Sequence, residues 1–175
     1  NDNSLDKSVA SEMFMIPTIE MISDFLEEID IENINKAREY LKSTIAINLK
    51  TEILACYKKN KAEIGDGSSV NLIGNRALMN MMLSYLMCLS DDPEIKTLIL
   101  DHYYLSDNMT TTMAGLRCIA DSNFFERKKI LTDFSKKWEN DPLVIDKWFT
   151  VQAVSTRKNT LSEVKNLMTS SLFSI

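Results

Sequence analysis

The sequence predicts an all-α fold, because apolar residues recur at the i, i+3, i+4 spacing of one helix face along most of its length. Two further observations agree. Four glycines and three prolines in 175 residues leave little material for the turns of an all-β protein, while 45% hydrophobic and 26% charged residues match a globular chain. The run Asn140–Gln152, N-D-P-L-V-I-D-K-W-F-T-V-Q, also carries a strong helix-start signal. There the Asp141 carboxylate can accept orphan backbone N–H groups, and Pro142 at the first helical position has no N–H to orphan. Leu143, Val144, Ile145, Trp148, Phe149 and Val151 then cover most of the helix circumference, so this helix is expected to lie between neighbours rather than on a surface.

From the N-terminus, residues 1–12 are polar with few apolar anchors and are expected to form an extended lead-in. Pro17 biases Ile16 away from helix and Thr18 can cap, after which Met21, Ile22, Phe25, Leu26 and Ile29 recur at helical spacing. The opposite face, Glu20, Asp24, Glu27 and Glu28, is acidic and reads as solvated. Glu32 to about Asn60 holds one stripe, Ala37, Leu41, Ile45, Leu49, Ile53 and Cys56, and is expected to be the longest helix. Gly65–Ser69 has two glycines but no following Gly-Lys-Ser and no preceding strand, so it is expected to be a loop and not a phosphate cradle.

The next helix is placed at 71–89, with Leu78, Met81, Met82, Tyr85, Leu86 and Leu89 inward. Its methionines could line an adaptable groove, but core packing is the preferred reading. Ser90–Glu94 stops that helix and caps the following one, where Ile95, Leu98, Ile99 and His102 share a face. Asp107 or Asn108 caps a helix carrying Met113, Leu116, Ile119 and Ala120, which Asp121-Ser122-Asn123 breaks. Phe125 to Trp138 is expected to turn Ile130, Leu131, Phe134 and Trp138 inward, with a basic outer face of Arg127, Lys128, Lys129, Lys136 and Lys137. After the Asp141 helix, 156–160 is a polar turn, and Leu161, Val164, Leu167 and Met168 mark a short last helix. Leu172, Phe173 and Ile175 leave an apolar C-terminal face that more chain is expected to cover. About eight helices joined by short polar turns predict an antiparallel, superhelical, repeat-like stack forming a single domain over 1–175.

A formal charge of −5 argues against nucleic acid as a partner, because affinity there comes mainly from lysine and arginine on phosphates. Cys56, Cys88 and Cys118 form no C-x-x-C pair and read as small buried thiols in a reducing compartment. No stretch approaches the roughly 18 apolar residues needed to span a bilayer, and N-D-N-S-L-D-K lacks the pattern of a signal peptide. A cytoplasmic location, with no membrane partner, is therefore expected.

A zincin site needs two histidines one turn apart with a glutamate between them, and a cysteine nucleophile or serine triad also needs histidine. The chain has one histidine, His102, on an apolar stripe beside Tyr103 and Tyr104, where a hydrogen-bonded core or boundary role is the expected one. Asp91 and Asp92 read as helix caps, and no G-x-S-x-G is present. No catalytic or metal-binding residue is predicted.

Preceded by F-S-K-K-W at Phe134–Trp138 and followed by Ala153-Val154-Ser155, the Asp141 run resembles the signature of the C-terminal helical domain of bacterial-type aminopeptidase N. Those enzymes are zinc alanyl aminopeptidases of the gluzincin class. The resemblance also takes in L-D-K-S-V-A at Leu5–Ala10, Ile16-Pro17, Ile29-Asp30, G-N-R-A-L at Gly74–Leu78 and Asn108-Met109-Thr110, in order along nearly the whole chain. It implies a fragment of the C-terminal domain of a larger enzyme, continued by further helices after Leu172-Phe173. The implied role is the wall or lid of a chamber that admits peptides, with the catalytic domain of the same polypeptide as partner. The zinc site and the Gly-Ala-Met-Glu-Asn type loop would lie upstream, so this stretch would hold no cofactor, be inactive alone, and have no peptide-contacting residue assigned. The alternative is a free-standing helical interaction module with a groove lined by methionine or aromatic side chains.

Overall fold

The computed structural model describes residues 5–65 and 71–173. Among these the chain is all-helical, with ten α-helices and no strand. It divides into two compact units, Asn1–Lys96 and Thr97–Ile175.

The first unit contains α1 (Lys7–Met13), α2 (Ile19–Ser23), α3 (Ile31–Asn48), α4 (Lys50–Gly65), α5 (Leu72–Leu86) with a 3-10 turn at Met87–Leu89, and the start of α6 (Pro93–Tyr104). Its centre is α5, which packs on α4, α1 and α3. Leu78, Met79, Met82, Leu83, Tyr85 and Leu86 of α5 are buried, against Ile53 and Tyr57 of α4 and Ala46 of α3. Met79 and Met82 are core residues, as preferred, while Met81 and Leu89 sit at the core's edge.

Three expectations for this unit are corrected. The lead-in is helical from Lys7, because Asp6 accepts from the Ser8 and Val9 amides at 2.8 and 3.2 Å, and the Lys7 ammonium pairs with Glu63 of α4. The Tyr85 hydroxyl then holds the end of α1 by donating to the Phe14 carbonyl at 2.6 Å. These polar anchors carry no apolar period, so a periodicity argument misses them. The helix after Thr18 stops at Ser23, and Phe25, Leu26 and Ile29 are exposed, Phe25 at 89%. The long helix predicted from Glu32 to Asn60 is broken at Leu49, where ψ reaches 24°. There the Asn48 side-chain amide donates to the Thr44 carbonyl at 2.8 Å, a local side-chain bond of the kind that competes with the helical ladder. Ile34 and Ala46 are buried in place of Ala37 and Leu41. Residues 66–69 of the expected Gly65–Ser69 loop lie outside the described residues, as do residues 1–4, 70 and 174–175.

The second unit holds the remainder of α6, then α7 (Met109–Asp121), α8 (Arg127–Lys137), α9 (Pro142–Ala153) and α10 (Thr160–Leu167). Asn108 caps α7 through the Thr111 amide at 2.9 Å, and Asp141 caps α9 through the Val144 amide at 3.3 Å with Pro142 in the first turn. Helix α9 packs on α7, α8 and α10, burying Val144, Ile145, Trp148 and Val151 against Ile119, Ile130, Leu131 and Phe134. Leu143 is the exception: it is 75% exposed, so α9 has a narrower buried face than its composition suggested. The Trp148 indole N–H donates to the Leu131 carbonyl at 2.8 Å, fixing α9 on α8. Helix α8 begins at Arg127 rather than Phe125, whose ring is 96% exposed. Phe173 meets Phe149 edge-on with ring centroids 5.4 Å apart, while Leu161 and Met168 remain exposed.

Candidate functional site

The most organised polar assembly of the second unit ties the end of α7, the start of α8, the α9–α10 turn and α10 together. Asp121, at the end of α7, accepts from the Ser155 hydroxyl at 2.9 Å and from the Thr156 amide at 2.6 Å. Arg127, in the first turn of α8, donates Nε to the Ala120 carbonyl at 2.7 Å and Nη2 to Glu163 at 2.7 Å. Arg157 donates Nη1 to the other Glu163 oxygen at 2.6 Å and Nε to the Asn123 side chain at 3.3 Å. One carboxylate thus faces two guanidinium groups, and the two arginines bind its separate oxygens.

Burial pushes the Glu163 carboxyl up, but the bonds from Arg127 and Arg157 outweigh it and hold its pKa below the ordinary value of 4.5. A carboxylate with a depressed folded pKa contributes stability that is fully present above its unfolded value and is lost as pH falls through the folded one. Glu163→Gln is therefore expected to cost roughly 1–3 kcal/mol at neutral pH, mostly by leaving the largely buried Arg127 without its counter-ion. Denaturant unfolding should find the gap between wild type and E163Q narrowing below about pH 4.5 as Glu163 itself protonates. Equal stability at pH 7 would contradict the assignment. The Ser155 and Thr156 hydroxyls both donate to Asp121, and every bond of the assembly runs between helix ends and the turn that follows α9, so its chemistry is that of a clamp on helix ends.

A second polar assembly lies in the first unit. Glu63 accepts from Lys7 and, at 2.9 Å, from the Asn75 amide, and the Lys7 bond is the leading reason its pKa is lowered. Asn75, the second residue of the G-N-R-A-L run, is fully buried.

The residues singled out from sequence are scattered. His102 is buried on α6 as a core residue. Asp92 accepts from the Glu94 amide at 2.8 Å at the start of α6 and pairs with Lys50 at 2.6 Å, which fits its reading as a cap. None of the three cysteines is in a disulfide, and Cys118 is buried; burial pushes the half-buried Cys56 thiol up, away from the reactive thiolate. Cys88 corrects the expectation of burial, because it sits exposed on the 3-10 turn that ends α5, past the last buried position of that stripe. Arg127 is likewise not on the outer face of α8 but turned in toward Glu163, whereas Lys128, Lys129, Lys136 and Lys137 are exposed as expected. Asp121 and Arg157 read in sequence as a breaker and part of a turn, Glu163 carries no signal of its own, and no motif spacing joins them. Among the described residues no three His, Cys, Asp or Glu side chains converge to hold a metal ion. No described helix is long and apolar enough to cross a membrane.

The model of a family described as "Domain of unknown function (DUF3458_C) ARM repeats" matches residues 1–175. The chain is 28% identical over 172 residues to aminopeptidase N of Escherichia coli (strain K12), covering 95% of this chain and 19% of that protein. It is 29% identical over 168 residues to aminopeptidase N of Haemophilus influenzae, covering 96% of this chain and again 19% of the relative. The crystal structure of Legionella pneumophila aminopeptidase A in complex with aspartic acid superposes with a TM-score of 0.82 at 26% identity, covering 99% of this chain and 21% of that one. The matched part of aminopeptidase N is its C-terminal region. The chain spans about a fifth of the length of the relatives it matches.

Proposed function

The chain belongs to the DUF3458_C ARM-repeat family, and from that premise we propose that it is the non-catalytic C-terminal helical domain, in part, of a larger zinc metalloaminopeptidase that removes N-terminal residues from peptides. One observation carries the proposal: nearly the whole chain aligns with aminopeptidase N, yet it accounts for only 19% of that enzyme. Zinc and the reacting groups belong, on this reading, to the part of the polypeptide outside these residues. The role proposed for this part is the wall of a chamber that restricts access to the catalytic domain. Such a wall needs rigidity and shape more than reactive groups, since its task is to exclude large substrates and bulk water. The dense α5 and α9 cores and the Arg127–Glu163–Arg157 clamp fit that requirement. Three cysteines held as thiols rather than disulfides agree with a reducing, cytoplasmic setting. The test is the natural coding sequence upstream of Asn1: a His-Glu-x-x-His segment is expected there, and a gene without one would overturn the proposal.

A further inference from the structure

The first unit carries an apolar surface that its own fold leaves uncovered. Met21, Phe25, Leu26, Ile29 and Ile31 are all exposed, Phe25 at 89%, on or beside the short α2 and the start of α3. The segment is nevertheless held in place. Thr18 caps α2, Asp30 caps α3 through the Asn33 amide at 3.0 Å, and Arg38 of α3 donates Nε to the Pro17 carbonyl at 2.7 Å. Large apolar side chains concentrated along a positioned segment mark an interaction surface rather than chance exposure.

The charge around them is mostly negative. Between Lys7 and Lys36 the chain has seven acidic residues and no lysine or arginine, more negative charge than the formal −5 of the whole protein. Glu20, Asp24, Glu27, Glu28, Asp30 and Glu32 are exposed among the apolar side chains. Two cations border the segment, Arg38, which donates Nε to the Pro17 carbonyl, and Lys36, 3.7 Å from Glu32, and the six carboxylates outnumber them.

We propose that this acid-rimmed apolar surface, centred on Phe25, docks onto a basic-rimmed apolar surface of the same polypeptide that lies outside these 175 residues. The inference rests on the reading of the chain as part of a larger enzyme, and the relatives supply about four-fifths of their length for that partner. A second copy of the chain fits badly, because a two-fold contact would set acid against acid. An anionic membrane surface fits badly for the same reason.

The test is hydroxyl-radical footprinting of the full-length polypeptide from its source cells, read by mass spectrometry against a free synthetic peptide of residues 18–32. Docking should lower the oxidation rate of Phe25 about tenfold, as expected when a nearly fully exposed ring enters the desolvated centre of an interface. Oxidation of Phe25 within about twofold of the free peptide would overturn the inference, since a ring held apart from any partner keeps the accessibility it has here. Protection lost on dilution, together with a halving of mass, would also overturn it by assigning the occupant to a second copy. The double variant E27K/E28K of the full polypeptide should lose most of the protection at low ionic strength, and unchanged protection would overturn the charge assignment. A native polypeptide near 20 kDa sinks the parent-enzyme reading itself, whereas a large zinc polypeptide with a reactive Phe25 sinks only this surface.

Discussion

Replacing Trp148 with alanine is expected to destabilise the second unit by roughly 3–5 kcal/mol. The indole is 7% exposed and lies in the face of α9 that meets α8. Truncation removes its apolar contacts, opens a cavity between two helices, and strips the Leu131 carbonyl of the donor it has at 2.8 Å. Trp148→Phe separates these effects, because it keeps most of the volume and loses the N–H. Its expected cost is about 1–2 kcal/mol, the range for a buried acceptor left unsatisfied plus a small void. Hydrogen exchange of the α8 and α9 amides under increasing denaturant would measure both, and W148A and W148F of equal stability would contradict the role given to α9.

The second large effect is expected at Gly115. A Cβ built there would lie 3.0 Å from both Cα and Cβ of Tyr103, so α7 meets the backbone of α6 with no room for a side chain. Gly115→Val should cost roughly 2–3 kcal/mol by overpacking, since backbone cannot swing aside as a flexible side chain does. The Tyr103 hydroxyl offers an independent readout. Burial, helped by Tyr104 and Asp133, pushes it up to about 12, and spreading α6 from α7 should return it toward 10. A G115V protein with unchanged stability and an unchanged Tyr103 titration would refute the close approach. Gly74 makes the contrast: its Cβ would meet the Asn71 side chain at 2.8 Å, which can move away. Loss of that cap, about 1 kcal/mol, would be offset by the similar gain in helix propensity on Gly74→Ala.

The helical class, α5, α7 and α9 were legible because each combines a cap with an apolar stripe that does face the core. Asp141-Pro142 and Asn108 act as their residue types require, and the resemblance drawn from the Asp141 run agrees with the relatives found. What escaped sequence reading was polar and tertiary. Helix α1 exists through Asp6, Lys7 and Tyr85, the last of them 71 residues from its acceptor at Phe14. At the break at Leu49 an asparagine side chain bonds a carbonyl of the helix, a feature that no hydrophobic period registers. The stripe through Phe25 and Ile29 has helical spacing but no buried partner among the described residues, so periodicity alone overextended α2. The clamp on Glu163 joins it to Arg127, 36 positions away, and both types are ordinary for helix surfaces.

The most direct measurement is the mass and activity of the native polypeptide that carries this stretch. An antibody raised against these residues should recover from source cells a band several times heavier than 20 kDa, containing zinc and releasing N-terminal residues from peptides. A native band near 20 kDa, without zinc or peptidase activity, would contradict the account and leave a stand-alone helical interaction module in its place.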